Sequence, residues 1–392
     1  MATVLVVTVD FPPDVGGIQQ YVYQFCLRAS RCSVVVLAPA AAGSASFDAS
    51  APFPIVRAAW PKGRGRIAAL RKLRALPRFR RRVEELIRLH SPDVVFCGTS
   101  TAGLAAAPPA LGSGVPTVLA AYGIDAVSGR LSSRKIHLMR QAHTVIAISR
   151  FTRALLVDAG VPEDAITIVP PGVDLERFHP TVDATPAVER FGLAGKHVLL
   201  TVGRLDPAEQ YKGHDVVIRA LPQIVAAVEN LLYVIAGQGG DRARLERLAA
   251  AEGVREHVLF AGYVEDELLP SLYAASDCFT MISGGPEASG FEGFGIAYLE
   301  AAASGKPSIA VRYAGAEEAV VDWETGLLVP PGDVDAVVAA AVRVLSDDGL
   351  RRRLGAAGRA RVEAELGWAH QTARLEDVML AAAGGTGPEP RA

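Results

Sequence analysis

Apolar residues fall along the chain in short continuous runs separated by helical patterns. TVLVVTVDF (3–11), CSVVVLAP (32–39), DVVFCGTS (93–100), PTVLAAYG (116–123), TVIAIS (144–149) and ITIVPPG (166–172) predict strands in the first half. They do not alternate apolar with polar residues, so both faces of each strand are expected to be covered, as in a parallel sheet between helices. After PPGVDLERFHPTVDATPAVERFGLAG the pattern restarts: KHVLLTVGR (196–204), LLYVIAGQG (231–239), HVLFAGYV (257–264), DCFTMIS (277–283), PSIAVRY (307–313) and TGLLVPPG (325–332). Two alternations predict an α/β chain of two doubly wound parallel-sheet domains, 1–178 and 179–374. A last helical pattern starts at Trp368, and GGTGPEPRA reads as a disordered tail. Ligands of open parallel sheets bind beyond the carboxyl ends of the strands, so two facing sheets would place a site in the cleft between them.

Composition narrows the class. At 392 residues the chain exceeds one ordinary core, and half of it is hydrophobic with 21% charged residues, as in soluble globular proteins. A net charge of −2 does not tune the whole molecule for a polyanion. Cys26, Cys32, Cys97 and Cys278 show no metal-ligand spacing and read as buried free thiols in a reducing compartment. MATVLVVTVDF lacks a basic leader and cleavage site, so it reads as a first strand. No apolar run reaches the roughly 18 residues of a spanning helix. The expected location is cytoplasmic, or peripheral on the cytosolic face of a membrane.

Four stretches carry candidate chemistry. In DFPPDVGGIQQYV (10–22), Gly16 and Gly17 precede a helix; they would let backbone approach a phosphate, or only serve packing. In VGRLDPAEQYKGHD (202–215), Arg204 follows a strand and Lys212 precedes a helix. A guanidinium clamps phosphate oxygens and an ammonium adds a point charge, so the two could neutralise a leaving diphosphate; two solvated cations is the plainer reading. GQGG (237–240) is a weaker signal that could simply turn the chain. In FEGFGIAYLE (291–300), Gly293 and Gly295 are poor helix formers, so Glu292 is expected at or before a helix start and Glu300 about two turns deeper. That spacing argues against a paired acid and base. Finally, residues 62–88 hold eleven Lys and Arg against Glu84 and Glu85, a local charge of +9. Ile67, Leu70, Leu73, Leu76 and Phe79 are interleaved with Arg71, Lys72, Arg74, Arg78, Arg80, Arg81 and Arg82. This suggests an amphipathic helix for an anionic lipid surface or anionic acceptor, or a solvated face. Nucleic acid fits less well, since no aromatic stacking platform accompanies the charge.

Together DFPPDVGGI, VPPGVDLERFHP, VGRL…YKGHD and FEGFGIAYLEAAASGKPSIA resemble the retaining GT-B glycosyltransferases of family four, most like the bacterial phosphatidylinositol mannosyltransferases, over about 5–375. The resemblance implies two Rossmann-like domains facing a cleft, with the C-terminal helix, about 375–392, returning to the first. It implies transfer of a hexose, best matched by mannose from GDP-mannose, to a hydroxyl acceptor with retained configuration. No cofactor or metal is implied beyond the nucleotide-sugar donor. Gly16 and Gly17 would lie by the donor diphosphate, which Arg204 and Lys212 would bind. Glu292, with backbone of Phe294 and Gly295, would meet the sugar; Glu300 would hold the ribose and Val264 the base. VPPGVDLERF would be a hinge. One departure stands out: many relatives carry a histidine after the fourth strand, where AAYGID places Tyr122. A phenol, with an ordinary pKa of about 10, is a poor base near neutral pH but can hydrogen-bond. His137 and His143 read as surface and structural. A UDP-sugar enzyme acting on a soluble glycan or secondary metabolite, an epimerase or glycogen-type synthase, and a non-catalytic nucleotide-sugar or lipid binder remain alternatives.

Overall fold

The computed structural model describes residues 1–63, 65–123, 132–285, 288 and 290–385, without the side chains of residues 65 and 66. Arg64 of the basic segment, Ile124 and Asp125 of AAYGID, part of the loop before FEGFG, and residues 386–392 of the tail expected to be disordered lie outside the described residues. The chain divides into two compact units, Gly172–Gly367 and Met1–Pro171 together with the chain from Trp368 on.

The first unit holds strands β1 (Ala2–Val7), β2 (Cys32–Pro39), β3 (Ile55–Ala58), β4 (Val94–Cys97), β5 (Thr117–Ala121), β6 (Thr144–Ala147) and β7 (Ile166–Ile168). They form one parallel sheet in the order β3-β2-β1-β4-β5-β6-β7. The second unit holds β8 (His197–Val202), β9 (Leu231–Ala236), β10 (Val258–Gly262), β11 (Cys278–Met281), β12 (Ser308–Val311) and β13 (Gly326–Val329), in the parallel order β10-β9-β8-β11-β12-β13. Each predicted run carries a strand. The central ones are fully enclosed, with Val4–Val7 and Val94–Cys97 in the first sheet and Val198–Leu200 in the second at zero exposure. That is why they read as unbroken apolar runs. The strand absent from the prediction is β3, four half-buried residues at a sheet edge that include Arg57.

The unit boundaries differ from the expected 178/179 and 374/375. Val173 donates its N–H to the Leu366 carbonyl at 2.9 Å, and the Arg359 guanidinium donates to the Phe178 carbonyl at 2.8 Å, which ties 173–178 to the second unit. The helix Trp368–Ala383 belongs to the first unit from its first residue: the Trp368 ring meets Tyr21 edge-on at 6.0 Å, and Arg374 donates to the Ile168 carbonyl at 2.7 Å.

A single carboxylate secures this helix. Glu376, 3% exposed at its side chain, accepts from the backbone N–H groups of Ser30, Arg31 and Cys32 at 2.8, 2.5 and 3.2 Å and pairs with the Arg31 guanidinium at 3.2 Å. Removing the acceptor would leave several donors unmatched at the entry to β2. We expect Glu376→Ala to destabilise the first unit by about 3 kcal/mol, and Glu376→Gln by less, in denaturant titrations.

Candidate active site

Each sheet reverses its strand order once, between β1 and β4 in the first unit and between β8 and β11 in the second. At such a switch point neighbouring connections leave in opposite directions and open a crevice beyond the strand ends. Three of the sequence-predicted stretches fall there. In the first unit Gly16 and Gly17 lie in the connection after β1. In the second unit the loop after β8 carries Arg204 and Lys212, and the loop after β11 leads through Glu292 to the helix Ile296–Ala303.

These two loops meet. Lys212 Nζ donates to Glu292 Oε2 at 3.2 Å, with 14% and 21% side-chain exposure. Burial opposes the charge of Lys212, but the carboxylate of Glu292, reinforced by Tyr211 and Glu209, outweighs it and holds the ammonium above its ordinary pKa. The Tyr211 ring lies 5.6 Å from the same ammonium. Arg204 is mostly exposed and pairs through Nη2 with Oε1 of Glu209 at 2.7 Å. His214, one residue past Gly213, is buried; burial and then the neighbouring Lys212 push its imidazole down to about 4, so it stays neutral beside the cations. Glu292 and Glu300 engage different partners, as their spacing suggests: Glu300 accepts from the Tyr273 hydroxyl at 2.8 Å. Phe294 and Gly295 are buried beside the start of the helix, and Val264 is buried just past β10.

Three glycines stand at N-caps here. Gly16 precedes the helix Gly17–Arg28, Gly213 precedes His214–Ala227, and Gly295 precedes Ile296–Ala303; none provides a side-chain cap. First-turn N–H groups without a capping side chain suit an incoming anion. Gly213 has φ +72°, and a Cβ there would lie 2.0 Å from the Ile282 carbonyl oxygen, so only glycine lets the β8 loop sit against the β11 loop.

The GQGG stretch does more than turn the chain. Gly237 and Gly239 have φ of +156° and +155°, and a Cβ would fall 1.8 Å from the Gly203 carbonyl oxygen and 2.1 Å from that of Leu205. Backbone bonds Leu205 N–H to Gln238 O at 3.0 Å and Asp241 N–H to Leu205 O at 2.9 Å complete the seat. The end of β9 is thereby pressed against the backbone on both sides of Arg204. Two glycines at alternate positions after a strand were the available signal. Glu209, Tyr273 and Asp241 also escaped the sequence reading; Asp241 accepts from Gln210 at 3.2 Å and from Arg244 twice at 2.7 Å.

In the first unit, Gly16 and Gly17 follow β1, and Gln19 donates to Asp10 at 3.3 Å. The Tyr122 hydroxyl donates to the Gly98 carbonyl at 2.9 Å, and its ring meets Tyr21 at 5.5 Å. Its phenol therefore bridges the ends of β4 and β5. Of the basic residues, Arg71 to Arg88 lie on the helix Gly65–His90, and Lys62, which precedes it, pairs with Asp14 at 2.6 Å. Arg71, Arg74, Arg78, Arg81 and Arg82 are exposed; Lys72 donates to the Gly63 carbonyl and Arg80 to that of Leu104, both at 3.0 Å. All four cysteines are buried and unbonded to one another. Among the described residues no group of three or more His, Cys, Asp and Glu side chains is placed to hold a metal, and no helix is long and apolar enough to cross a membrane.

Two parallel-sheet, doubly wound units, each with loops at its switch point, give the chain the GT-B architecture of glycosyltransferases. The family model for "Glycosyltransferase Family 4" matches residues 15–177, and that for "Glycosyl transferases group 1" matches 188–361. The chain is 34% identical over 386 residues to the GDP-mannose-dependent alpha-(1-6)-phosphatidylinositol monomannoside mannosyltransferase of Mycolicibacterium smegmatis, covering 96% of this chain and 97% of that one. It is 33% identical over 390 residues to the corresponding enzyme for the monoacylated acceptor in Corynebacterium glutamicum, covering 96% and 97%. The chain belongs to glycosyltransferase family 4 and is a glycosyltransferase. In fold it is similar to HepE of Anabaena in complex with UDP and glucose (TM-score 0.80, 19% identity, 97% of this chain and 100% of that one). Sucrose-phosphate synthase of Thermosynechococcus elongatus is also similar (TM-score 0.81, 22% identity, 98% and 100%).

Glu300 supplies a titration signature. Burial raises its pKa from the ordinary 4.5 to about 7, although the Tyr273 hydroxyl and the charge of Arg177 pull the other way. Because the native state holds this proton more tightly than the unfolded chain, the stabilisation is present below about pH 4.5 and is lost as pH rises through about 7. Wild-type protein should therefore lose stability relative to Glu300→Gln between pH 5 and pH 8. Parallel denaturation midpoints across that range would instead place the Glu300 pKa near its ordinary value.

Proposed function

We propose that the protein transfers mannose, with retained configuration, from GDP-mannose to a hydroxyl of a phosphatidylinositol-type lipid at a membrane surface. The donor and acceptor follow those in the names of the full-length relatives. The observation that carries the reading is the Lys212–Glu292 contact at 3.2 Å across the β8/β11 switch point, with Arg204 on the same loop.

In this reading the bond from the sugar C1 to the β-phosphate oxygen breaks as the acceptor oxygen bonds to C1 on the same face. The acceptor proton passes to the departing phosphate oxygen, leaving GDP and the mannosylated lipid. Charge grows on the diphosphate during the step, and Lys212 and Arg204 neutralise it where it develops. Glu292 orients the sugar hydroxyls while restraining Lys212. Phe294 and Gly295 offer backbone to the same sugar, Glu300 takes the ribose hydroxyls and Val264 the base. In the first unit, the helix start at Gly16 and Gly17 leaves N–H groups without a side-chain cap that suit an anion. No metal or further cofactor enters the scheme.

Lys212→Ala is expected to lower kcat by about 10²–10³ with a smaller change in donor KM, since its charge matters most as the leaving group departs. Full turnover in this variant would remove the assignment. A thermal-shift panel identifies the donor: GDP-mannose should raise Tm more than UDP-glucose does.

The acceptor side rests on the helix Gly65–His90. Phe79 and Val83 are buried, whereas Ile67, Leu70 and Leu73 are 72%, 51% and 42% exposed. At 3.6 residues per turn Ile67 and Leu70 fall on the side of Arg71, Arg74 and Arg78, opposite Phe79 and Val83. A basic face that also shows leucines suits the headgroup region of an anionic membrane. The protein should float with vesicles containing phosphatidylinositol, and a variant carrying Arg71→Glu, Arg74→Glu and Arg78→Glu should not. Equal flotation of both would exclude this face.

A further inference from the structure

Resting on the donor reading above, we propose that Glu209 is a positioning residue for the transfer step, holding Arg204 in the orientation in which its guanidinium meets the departing diphosphate. The short 3-10 segment Pro207–Lys212 makes this possible. Asp206 caps it by accepting from Ala208 N–H at 2.9 Å, and Glu209 N–H bonds the Asp206 carbonyl at 2.7 Å. Glu209 itself leaves helical geometry, with φ −117° and ψ 28°. The break sends four consecutive side chains to four supports. Glu209 reaches Arg204 at 2.7 Å, Gln210 reaches Asp241 at 3.2 Å, Tyr211 lies where a Cβ on Gly290 would come within 2.7 Å, and Lys212 reaches Glu292 at 3.2 Å.

The pair is lopsided in exposure. The Glu209 side chain is 5% exposed and that of Arg204 is 61%. A carboxylate fixed in the protein thus grips one nitrogen of a guanidinium that otherwise faces outward. The cavity they line, with His214 and Asp241, is about 10 Å³, room for about one water. A free arginine side chain has many rotamers, and fixing them before the ligand arrives removes that entropy from the binding and transfer steps. Glu209 need not touch the donor to do this.

A double-mutant cycle with GDP-mannose as donor tests it. Glu209→Ala should lower kcat about tenfold while donor KM changes less. Glu209→Gln, which keeps an acceptor oxygen at the same reach, should recover most of that loss and guards against a folding defect in the alanine variant. In an Arg204→Ala background, Glu209→Ala should slow the enzyme no further. Wild-type or faster turnover by Glu209→Ala, or an equal slowing in both backgrounds, overturns the positioning role while leaving the donor reading intact. Full activity of Arg204→Ala alone overturns both.

Discussion

The contact on which the second unit's site depends is the one between Lys212 and Glu292. Strands β8 and β11 are adjacent but share a short ladder, Cys278 opposite Leu199 and Phe279 opposite Leu200. Beyond it their connections leave in opposite directions, and something other than the ladder must hold the two loops in register. Gly213 permits the approach to Ile282, Gly284 N–H donates to the Tyr211 carbonyl at 2.6 Å, and the ion pair closes the gap between side chains 80 residues apart. Partly buried pairs of this kind add little net stability, because desolvation consumes most of the attraction. Their value is in register, and here the register sets Lys212 of the β8 loop against Glu292 of the β11 loop.

The same arrangement balances the site's charge. Lys212 faces Glu292, Arg204 faces Glu209 and Arg244 faces Asp241, while burial keeps His214 neutral. Such a crevice is not a standing well of positive potential that would trap any polyanion. In the proposed reading a diphosphate meets cations whose orientation these carboxylates fix, and the gain is largest when the phosphate carries most charge, as the bond to the sugar breaks. Interactions that strengthen toward the transition state accelerate the reaction rather than merely tightening the ground state.

Much of this was legible in the sequence, for definite physical reasons. Strands enclosed on both faces must be apolar throughout, so all but β3 announced themselves; β3 lies at an edge, is half-buried and includes Arg57, which pairs with Asp48 at 2.6 Å. Glu292 and Glu300 could be separated because glycines at 293 and 295 delay the helix to Ile296. What stayed hidden were contacts made through loop geometry. Nothing in DPAEQYK says that Glu209 turns inward and Gln210 does not, since that depends on one non-helical residue within a 3-10 segment. GQGG looked like a turn because the atoms that forbid a side chain there belong to Gly203 and Leu205, over 30 residues away in sequence. The helical pattern from Trp368 was legible, but not that the chain rejoins the first unit at that residue, because the anchors there, Tyr21 and the backbone of residues 30–32, are remote in the chain.

The uneven charge of the chain can be argued from the same kind of detail. The helix Gly65–His90 spends its basic residues in different ways. Lys72 and Arg80 are drawn to backbone carbonyls and Arg82 pairs with Glu85 at 2.7 Å, whereas Arg71, Arg74 and Arg78 remain exposed beside Ile67 and Leu70. Ile67 at 72% and Leu70 at 51% exposure stand next to three arginines on this face. A face meant for nucleic acid would be expected to offer rings for stacking, and the helix's aromatic residue, Phe79, is buried against Trp60 instead. Arginines with exposed aliphatic neighbours match a boundary that is anionic at its surface and apolar just beneath. The lipid acceptor proposed above has that character.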